Sequence, residues 1–412
     1  MISAEQNQTL TRVGKGTPMG ELLRRYWHPV GICSEFKGVF TKKVKILGEN
    51  LVLYRDKSGK LGLIGQNCPH RGASMEHGII ECEGIRCAYH GWHFNDNGQC
   101  VDQPNEPEDS TFKNRIRVPA YPVKEVGGMF FAYLGPEPIP EFPMFELFKS
   151  GNVIKTIGYT IIPVNWLQIM ENSLDPVHVE WLHGHFYEQA KGENETPFGK
   201  HHVKISFEEF EYGVIKKRLL EGQIEEESDD WLTGHPVIFP NLLLVGDTRL
   251  HQFQIRVPMD DTTTMHYWYN CVHPEDGVTV PDDYPITSYE VPNKDENGNF
   301  IMDYVDGQDI MIWVSQGDIN DRTEEHLGTT DRGIILYRKM LLKEMSKVEN
   351  GEDPMCVFRE PVSNIQLPIE KNRHGLPPGS FLNHISTRDS RFSPNIQEIV
   401  NIVSGGSIKA NS

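Results

Sequence analysis

Cys68-Pro69-His70-Arg71-Gly72-Ala73 is matched, with sixteen residues between His70 and Cys87, by Cys87-Ala88-Tyr89-His90-Gly91-Trp92. Each half offers one thiol and one imidazole from a short loop whose Pro and Gly allow a tight turn. Two thiolates on one iron and two imidazoles on a second form the ligand set of a [2Fe-2S] cluster with a potential above that of an all-cysteine ferredoxin. A zinc site built from the same four residues normally pairs Cys with Cys and His with His. Here each half mixes them, so Cys68, His70, Cys87 and His90 are expected to hold an iron-sulfur cluster, with Trp92 shielding it from water.

A Rieske-type electron carrier is therefore expected, and it would occupy a small part of a chain of 412 residues. That length suggests two or three domains with a large core. The formal net charge of -18 argues against nucleic acid and acidic membrane surfaces as partners, because both require a basic footprint. No apolar run approaches the roughly 20 residues of a membrane span, and Met1-Ile2-Ser3-Ala4-Glu5-Gln6-Asn7 lacks a signal pattern, so cytoplasmic residence is expected. Of the remaining cysteines, Cys82 and Cys100 flank the second loop but sit at neither ligand spacing, and they read as structural.

Four segments are expected. Residues 1–25 read as an N-terminal helical segment interrupted by Gly14-Lys15-Gly16. Residues 26–138 read as a small antiparallel β domain carrying the cluster, with alternating runs such as Lys43-Val44-Lys45-Ile46-Leu47 and Leu51-Val52-Leu53-Tyr54-Arg55. The Pro-rich stretch Pro136 to Pro143 is a stiff linker. Residues 139–374 read as an α+β domain: an antiparallel sheet with helices over Asn165–Asn172 and about Asp331–Val348. Residues 375–412, rich in Pro, Ser, Asn and Gly, are expected to be a loosely packed tail.

Asp175-Pro176-Val177-His178-Val179-Glu180-Trp181-Leu182-His183 looks like half of a mononuclear iron site, since non-haem Fe(II) is commonly held by two His and one carboxylate on one face. Residues five apart on an α-helix lie about 140° round from one another. The turn between His178 and His183 must therefore open for both to reach one ion. His185 and Glu180 are decoys at similar spacing. An electron carrier in the same chain also implies something to be reduced.

These residues resemble the oxygenase component of the Rieske non-haem iron aromatic-ring-hydroxylating oxygenases, in particular the phthalate dioxygenase-like group without a β subunit. The likeness runs from Arg24-Arg25-Tyr26-Trp27-His28-Pro29 to Asp321-Arg322-Thr323-Glu324-Glu325-His326-Leu327-Gly328, and the pattern Asn-x-x-Asp-x-x-His-x4-His falls on Asn172, Asp175, His178 and His183. The resemblance implies a β-rich cluster domain followed by a helix-grip, START-like catalytic domain, with a [2Fe-2S] cluster and a mononuclear Fe(II) as cofactors. It also implies a downstream Asp as third iron ligand. Asp303, Asp306, Asp309 and Asp318 are available, and the context Gln308-Asp309-x3-Trp313-x2-Gln316-Gly317 selects Asp309, although Trp313 and Val314 stand where relatives often carry Glu.

By the same resemblance Asp175 links an iron-bound His to a cluster His of a neighbouring subunit, which implies a homotrimer or a hexamer of stacked trimers. Its position before Pro176 also suits a helix cap. The expected partners are O2, a small aromatic acid and a separate NADH-dependent flavin and iron-sulfur reductase, because the chain has no Gly-x-Gly-x-x-Gly turn of its own. Ring hydroxylation and O-demethylation remain open, with an electron-transfer protein lacking oxygenase activity as the alternative. Arg218, Arg249 and Arg256 read as surface or structural residues rather than substrate anchors.

Overall fold

The computed structural model describes residues 2–192, 198–247, 249–369 and 388–403. The chain forms two compact units, Val13–Phe142 and Met1–Arg12 with Pro143–Ser412. The stretch 1–25, expected as one segment, is two helices belonging to different units. Ala4–Thr11 starts at a capping box between Ser3 and Gln6, and Pro18–Leu23 starts with Thr17 capping Gly20 and Pro18 in the first turn.

The first unit is built from short antiparallel strands in three small sheets. Thr41–Ile46, Glu49–Arg55 and Leu61–Gly65 form consecutive hairpins, while Ile79–Ile80, Ile85–Arg86, His93–Phe94 and Cys100–Asp102 form a second sheet; the first loop of the cluster motif leads from Leu61–Gly65 toward that sheet and the second joins Ile85–Arg86 to His93–Phe94. Val52, Tyr54, Ile64, Met75, Ile85, Trp92 and Phe94 pack with Cys68 and Cys87 into one core.

The second unit centres on an eight-stranded sheet in the order His202–Phe210, Gly213–Leu220, His235–Ile238, Leu242–Gly246, Leu250–Asp260, Thr263–Val272, Ile154–Ile162 and Thr287–Glu290. Every neighbouring pair is antiparallel except the last. The connection 273–286 carries the chain past Ile154–Ile162 to its free edge, where Thr287–Glu290 runs parallel to it. In the two longest strands Gln252, Gln254 and Arg256 pair with Asn270, Trp268 and His266 on one face, and Phe253, Ile255 and Val257 pair with Tyr269, Tyr267 and Met265 on the other. Alternation of side chains makes one face polar and one apolar, yet all of the named polar residues are buried.

Helices hold the site against this sheet. Asn165 caps Trp166–Ser173, its Oδ1 accepting from Leu167 N–H at 3.1 Å while its amide donates to Thr11 and Asp261 carbonyls. On the same helix Glu171 accepts from Arg322 at 2.7 and 2.9 Å and from Arg338 Nε at 2.7 Å, and Arg338 also pairs with Glu325. This buried network ties three segments of the chain together.

The C-terminal expectation needs correction. Residues 375–387 and 404–412 lie outside the described residues, but 388–403 is firmly packed. Ile396–Val403 is a helix whose Ile399 and Ile402 enter a core with Ile154, Leu250, Val272 and Val280, and Asp389 is fully buried. The polar composition of the region outweighed the i, i+3 spacing of Ile396, Ile399 and Ile402 in the reading.

Burial alone would raise the Glu171 pKa, but Arg322 and Arg338 outweigh it and hold the carboxyl below its ordinary value. Its stabilising share is therefore present above the unfolded carboxylate pKa and lost as pH falls through the lower folded value. Glu171→Ala strands the buried Arg322 guanidinium, takes one of two acids from Arg338, and should cost about 3–5 kcal/mol, measured by urea denaturation at neutral pH. A midpoint equal to that of the parent chain would show that the network does not bear on stability.

Candidate metal centres

The two cluster loops have the same backbone construction. Cys68 N–H donates to Ala73 C=O and Gly72 N–H to Cys68 C=O, both at 2.8 Å; Cys87 N–H donates to Trp92 C=O at 2.8 Å and Gly91 N–H to Cys87 C=O at 2.9 Å. Gly72 and Gly91 take φ values of 77° and 74°, where a side chain would be strained, and a Cβ on Gly91 would also meet Pro104. Each loop turns its thiol inward, Cys68 and Cys87 both being buried, and its imidazole outward. The His70 and His90 ring centroids are 4.4 Å apart, and Trp92 stacks on His70 at 4.5 Å with only 8° between planes. Burial, with the adjacent Cys87 thiol, pushes Cys68 up to about 11. A buried pair of thiols beside a pair of outward imidazoles suits a cluster whose iron withdraws the thiol protons. Cys82 is exposed and Cys100 directs Sγ toward Asp102 C=O, so neither joins the loops.

In the second unit, His178, His183 and Asp309 each offer one donor atom, all within 4.8 Å of one another. The opening expected between the histidines is a π-helix over Val179–Phe186, with His178 at its start. Its i→i+5 hydrogen bonding brings residues five apart onto one face, and the two rings lie 5.3 Å apart. Asp309 projects from the second turn of the Val305–Ser315 helix and puts Oδ1 3.3 Å from His183 Nε2 and 3.7 Å from His178 Nε2. That buried oxygen has no hydrogen-bond partner among the described residues.

The protonation states suit a metal. Burial lowers His178 to about 4, and in Asp309 the neighbouring His183 and His178 outweigh burial and lower the carboxyl below its ordinary value. Neutral imidazole and ionised carboxylate are the ligating forms. Gln308, which the motif reading left without a role, accepts from His183 Nδ1 at 2.8 Å and donates to Met302 C=O at 2.9 Å. That bond fixes the tautomer and leaves Nε2 free to ligate.

Asp175 does cap. Its Oδ1 accepts from Val177 N–H at 2.9 Å, and its Oδ2 stands 3.8 Å from His178 Nδ1. The other aspartates are engaged elsewhere. Asp306 accepts from Trp268 Nε1 and Asp389 N–H, Asp303 pairs with Arg391, and Asp318 is exposed with its carbonyl bonded to Asn165 N–H. Of the decoys, Glu180 is held by His201 and His202, and His185 is nearly half exposed beside Glu188.

His178, His183 and Asp309 face a partly open pocket, walled by Val179, Phe198, Leu243, Val245 and Val305 and carrying Lys216, Arg256 and Arg388. Arg256 is therefore not a surface residue. It is 1% exposed, bonds the neutral amide of Gln254 at 2.6 Å, and burial lowers it to about 9. Arg218 is buried against Asp230, and Arg249 pairs with Glu275. Strand alternation in Gln252-Phe253-Gln254-Ile255-Arg256 was the available signal for Arg256.

Residues 26–122 match the Rieske [2Fe-2S] domain, and residues 293–369 match a family described as LigXa C-terminal domain like. The chain is 43% identical to the 5,5'-dehydrodivanillate O-demethylase oxygenase subunit of Sphingobium sp., over 90% of this chain and 86% of that one. The chain belongs to the Rieske non-haem iron oxygenases. It is also 29% identical to the phthalate 4,5-dioxygenase oxygenase subunit of Pseudomonas putida (85% and 88% covered) and 35% identical to the phenoxybenzoate dioxygenase subunit alpha of Ectopseudomonas oleovorans (86% and 88%). In fold it is similar to Pseudomonas putida CBB5 NdmA with caffeine, with a TM-score of 0.62 at 19% identity over 80% of this chain and 93% of that one. Its cofactors are thus a Rieske [2Fe-2S] cluster and a mononuclear iron. Among the described residues, no helix is long and apolar enough to cross a membrane.

Trp92→Ala removes the ring stacked on His70 from the cluster core and should destabilise the first unit by about 3–5 kcal/mol. Thermal bleaching of the visible cluster absorption measures this, and an unshifted midpoint would show that the stack is incidental.

Proposed function

We propose that the chain is the terminal oxygenase of a multicomponent system that oxidises an aromatic carboxylate with O2, drawing electrons from a separate NADH-dependent flavin and iron-sulfur reductase. In this reading Cys68, His70, Cys87 and His90 hold the cluster, and His178, His183 and Asp309 hold the mononuclear iron, which supplies O2 activation when bound. The observation that carries it is the convergence of those last three donors on a pocket that also buries Arg256 and Arg388.

The chain's own groups divide the remaining work. Val179, Phe198, Leu243, Val245 and Val305 take the ring and keep water away, while the cationic groups fix the carboxylate and so set which carbon faces the donors. Gln308 holds His183 in the ligating tautomer. Asp175 orients the Val177–His178 turn and, in a homotrimer or a hexamer of stacked trimers, would lie between a cluster His of a neighbouring subunit and His178. Residues 26–138 act as the electron-carrying domain and 139–374 as the catalytic one, closed by the segment 388–403.

Between the two outcomes, O-demethylation is favoured by the 43% identity to a subunit named for it. That reaction consumes O2, two electrons and two protons, and releases formaldehyde, water and a phenol. Ring dioxygenation instead leaves both oxygen atoms in a diol. Turnover of methoxylated biaryl acids, phthalate and phenoxybenzoate under 18O2, read by mass spectrometry, separates them; formaldehyde release with a demethylated phenol is expected, and a doubly labelled diol would favour dioxygenation.

Metal analysis should give three irons and two sulfides per chain. His178→Ala should lose one iron and all turnover while keeping the cluster spectrum, and a variant that retains turnover removes His178 from the site. Asp175→Asn should slow single-turnover cluster oxidation by about tenfold or more, whereas an unchanged rate would count against the electron route.

A further inference from the structure

Arg388 and Asp389 open the described C-terminal segment, and both are withdrawn from solvent. Asp389 is held from several directions. Its N–H donates to Asp306 Oδ2 at 3.0 Å, Oδ1 accepts from Gln252 Nε2 at 2.9 Å, and Oδ2 accepts from Tyr289 OH at 2.8 Å and Asn270 Nδ2 at 3.0 Å. Gly158 leaves room for it, since a Cβ there would stand 2.9 Å from Asp389 Oδ2. With its neighbour pinned to three strands and a helix, Arg388 enters the pocket from a fixed backbone position.

Arg388 lines the same pocket as His178, His183, Asp309 and Arg256, and its buried Nε has no hydrogen-bond partner among the described residues. The acids that feel its charge are Asp306, Asp309 and Asp389. Asp306 and Asp389 are engaged by the bonds described, and Asp309 Oδ1 faces the two histidines as the third expected iron ligand. A buried guanidinium without a matched acid is unfavourable unless an anion completes it, and its planar donor fork suits a carboxylate.

We propose that Arg388 is a specificity-determining residue that binds a carboxylate of the aromatic substrate, with Asp389 as its positioning residue. This deepens the aromatic-acid reading of the pocket and rests on it. Arg256 comes from a central strand and Arg388 from the C-terminal segment, so the substrate's acid end is recognised by two distant parts of the chain.

The test is calorimetric binding to the iron-loaded enzyme, using 5,5'-dehydrodivanillate, phthalate, 3-phenoxybenzoate and their neutral carboxamides as probes. The parent enzyme should bind its tightest acid about tenfold or more better than the matching carboxamide. Arg388→Gln should remove most of that preference, leaving carboxamide binding within about twofold, with the cluster spectrum and thermal midpoint unchanged. Arg388→Lys should restore part of it. Asp389→Asn should weaken acid binding in the parent background and add nothing in the Arg388→Gln background. Acid binding that survives Arg388→Gln, or an equal loss for acid and carboxamide, overturns the assignment while leaving the aromatic-acid reading in place. A parent enzyme that treats every acid and its carboxamide alike overturns that reading itself.

Discussion

An imidazole can serve a metal only if its ring nitrogen points where its partners' donors point, and His178 and His183 stand at a separation that an α-helix spreads round its circumference. The wide turn over Val179–Phe186 answers that constraint, and its surroundings hold it in place. Asp175 fixes the entry through Val177 N–H, Glu171 anchors the preceding helix to Arg322 and Arg338, and Gln308 grips His183 from the facing helix. An unpaired Asp309 oxygen is tolerable in such a site because the two imidazoles beside it leave a ready-made place for a cation.

The cluster loops solve a different problem. Their hydrogen-bond pattern is repeated around Cys68 and Cys87, so the two thiols meet inside the core while both imidazoles face outward. A cluster held by these four residues would present His70 and His90, rather than the cysteines, to its surroundings. Trp92 covers one face of His70 without closing off its edge.

The candidate ligand motifs were legible because chemistry fixes both their residue types and their spacing; the cysteine and histidine loops and the i, i+5 pair came from the sequence, and the choice of Asp309, which the fold brings beside His178 and His183, came from the resemblance it carries. The strands at 43–55 and the helix near 332–349 were legible for a similar reason, since periodicity reports burial directly. What the sequence concealed was burial without hydrophobicity. Gln252, Gln254 and Arg256 alternate as a solvent-facing edge would, and Arg388 and Asp389 follow a polar stretch, yet all of them lie inside. A polar residue inside is recognisable only once its partners are known, and those partners come from strands and helices far away in the chain.

Because adjacent residues of Leu250–Asp260 point to opposite sides, the apolar set Phe253, Ile255 and Val257 can stay constant while Gln254 and Arg256 change. Ladder bonding between the strands is made by the backbone and is indifferent to such exchanges. A scaffold of this kind can thus vary every second position of two neighbouring strands on one side while the sheet and the apolar layer behind it stay as they are.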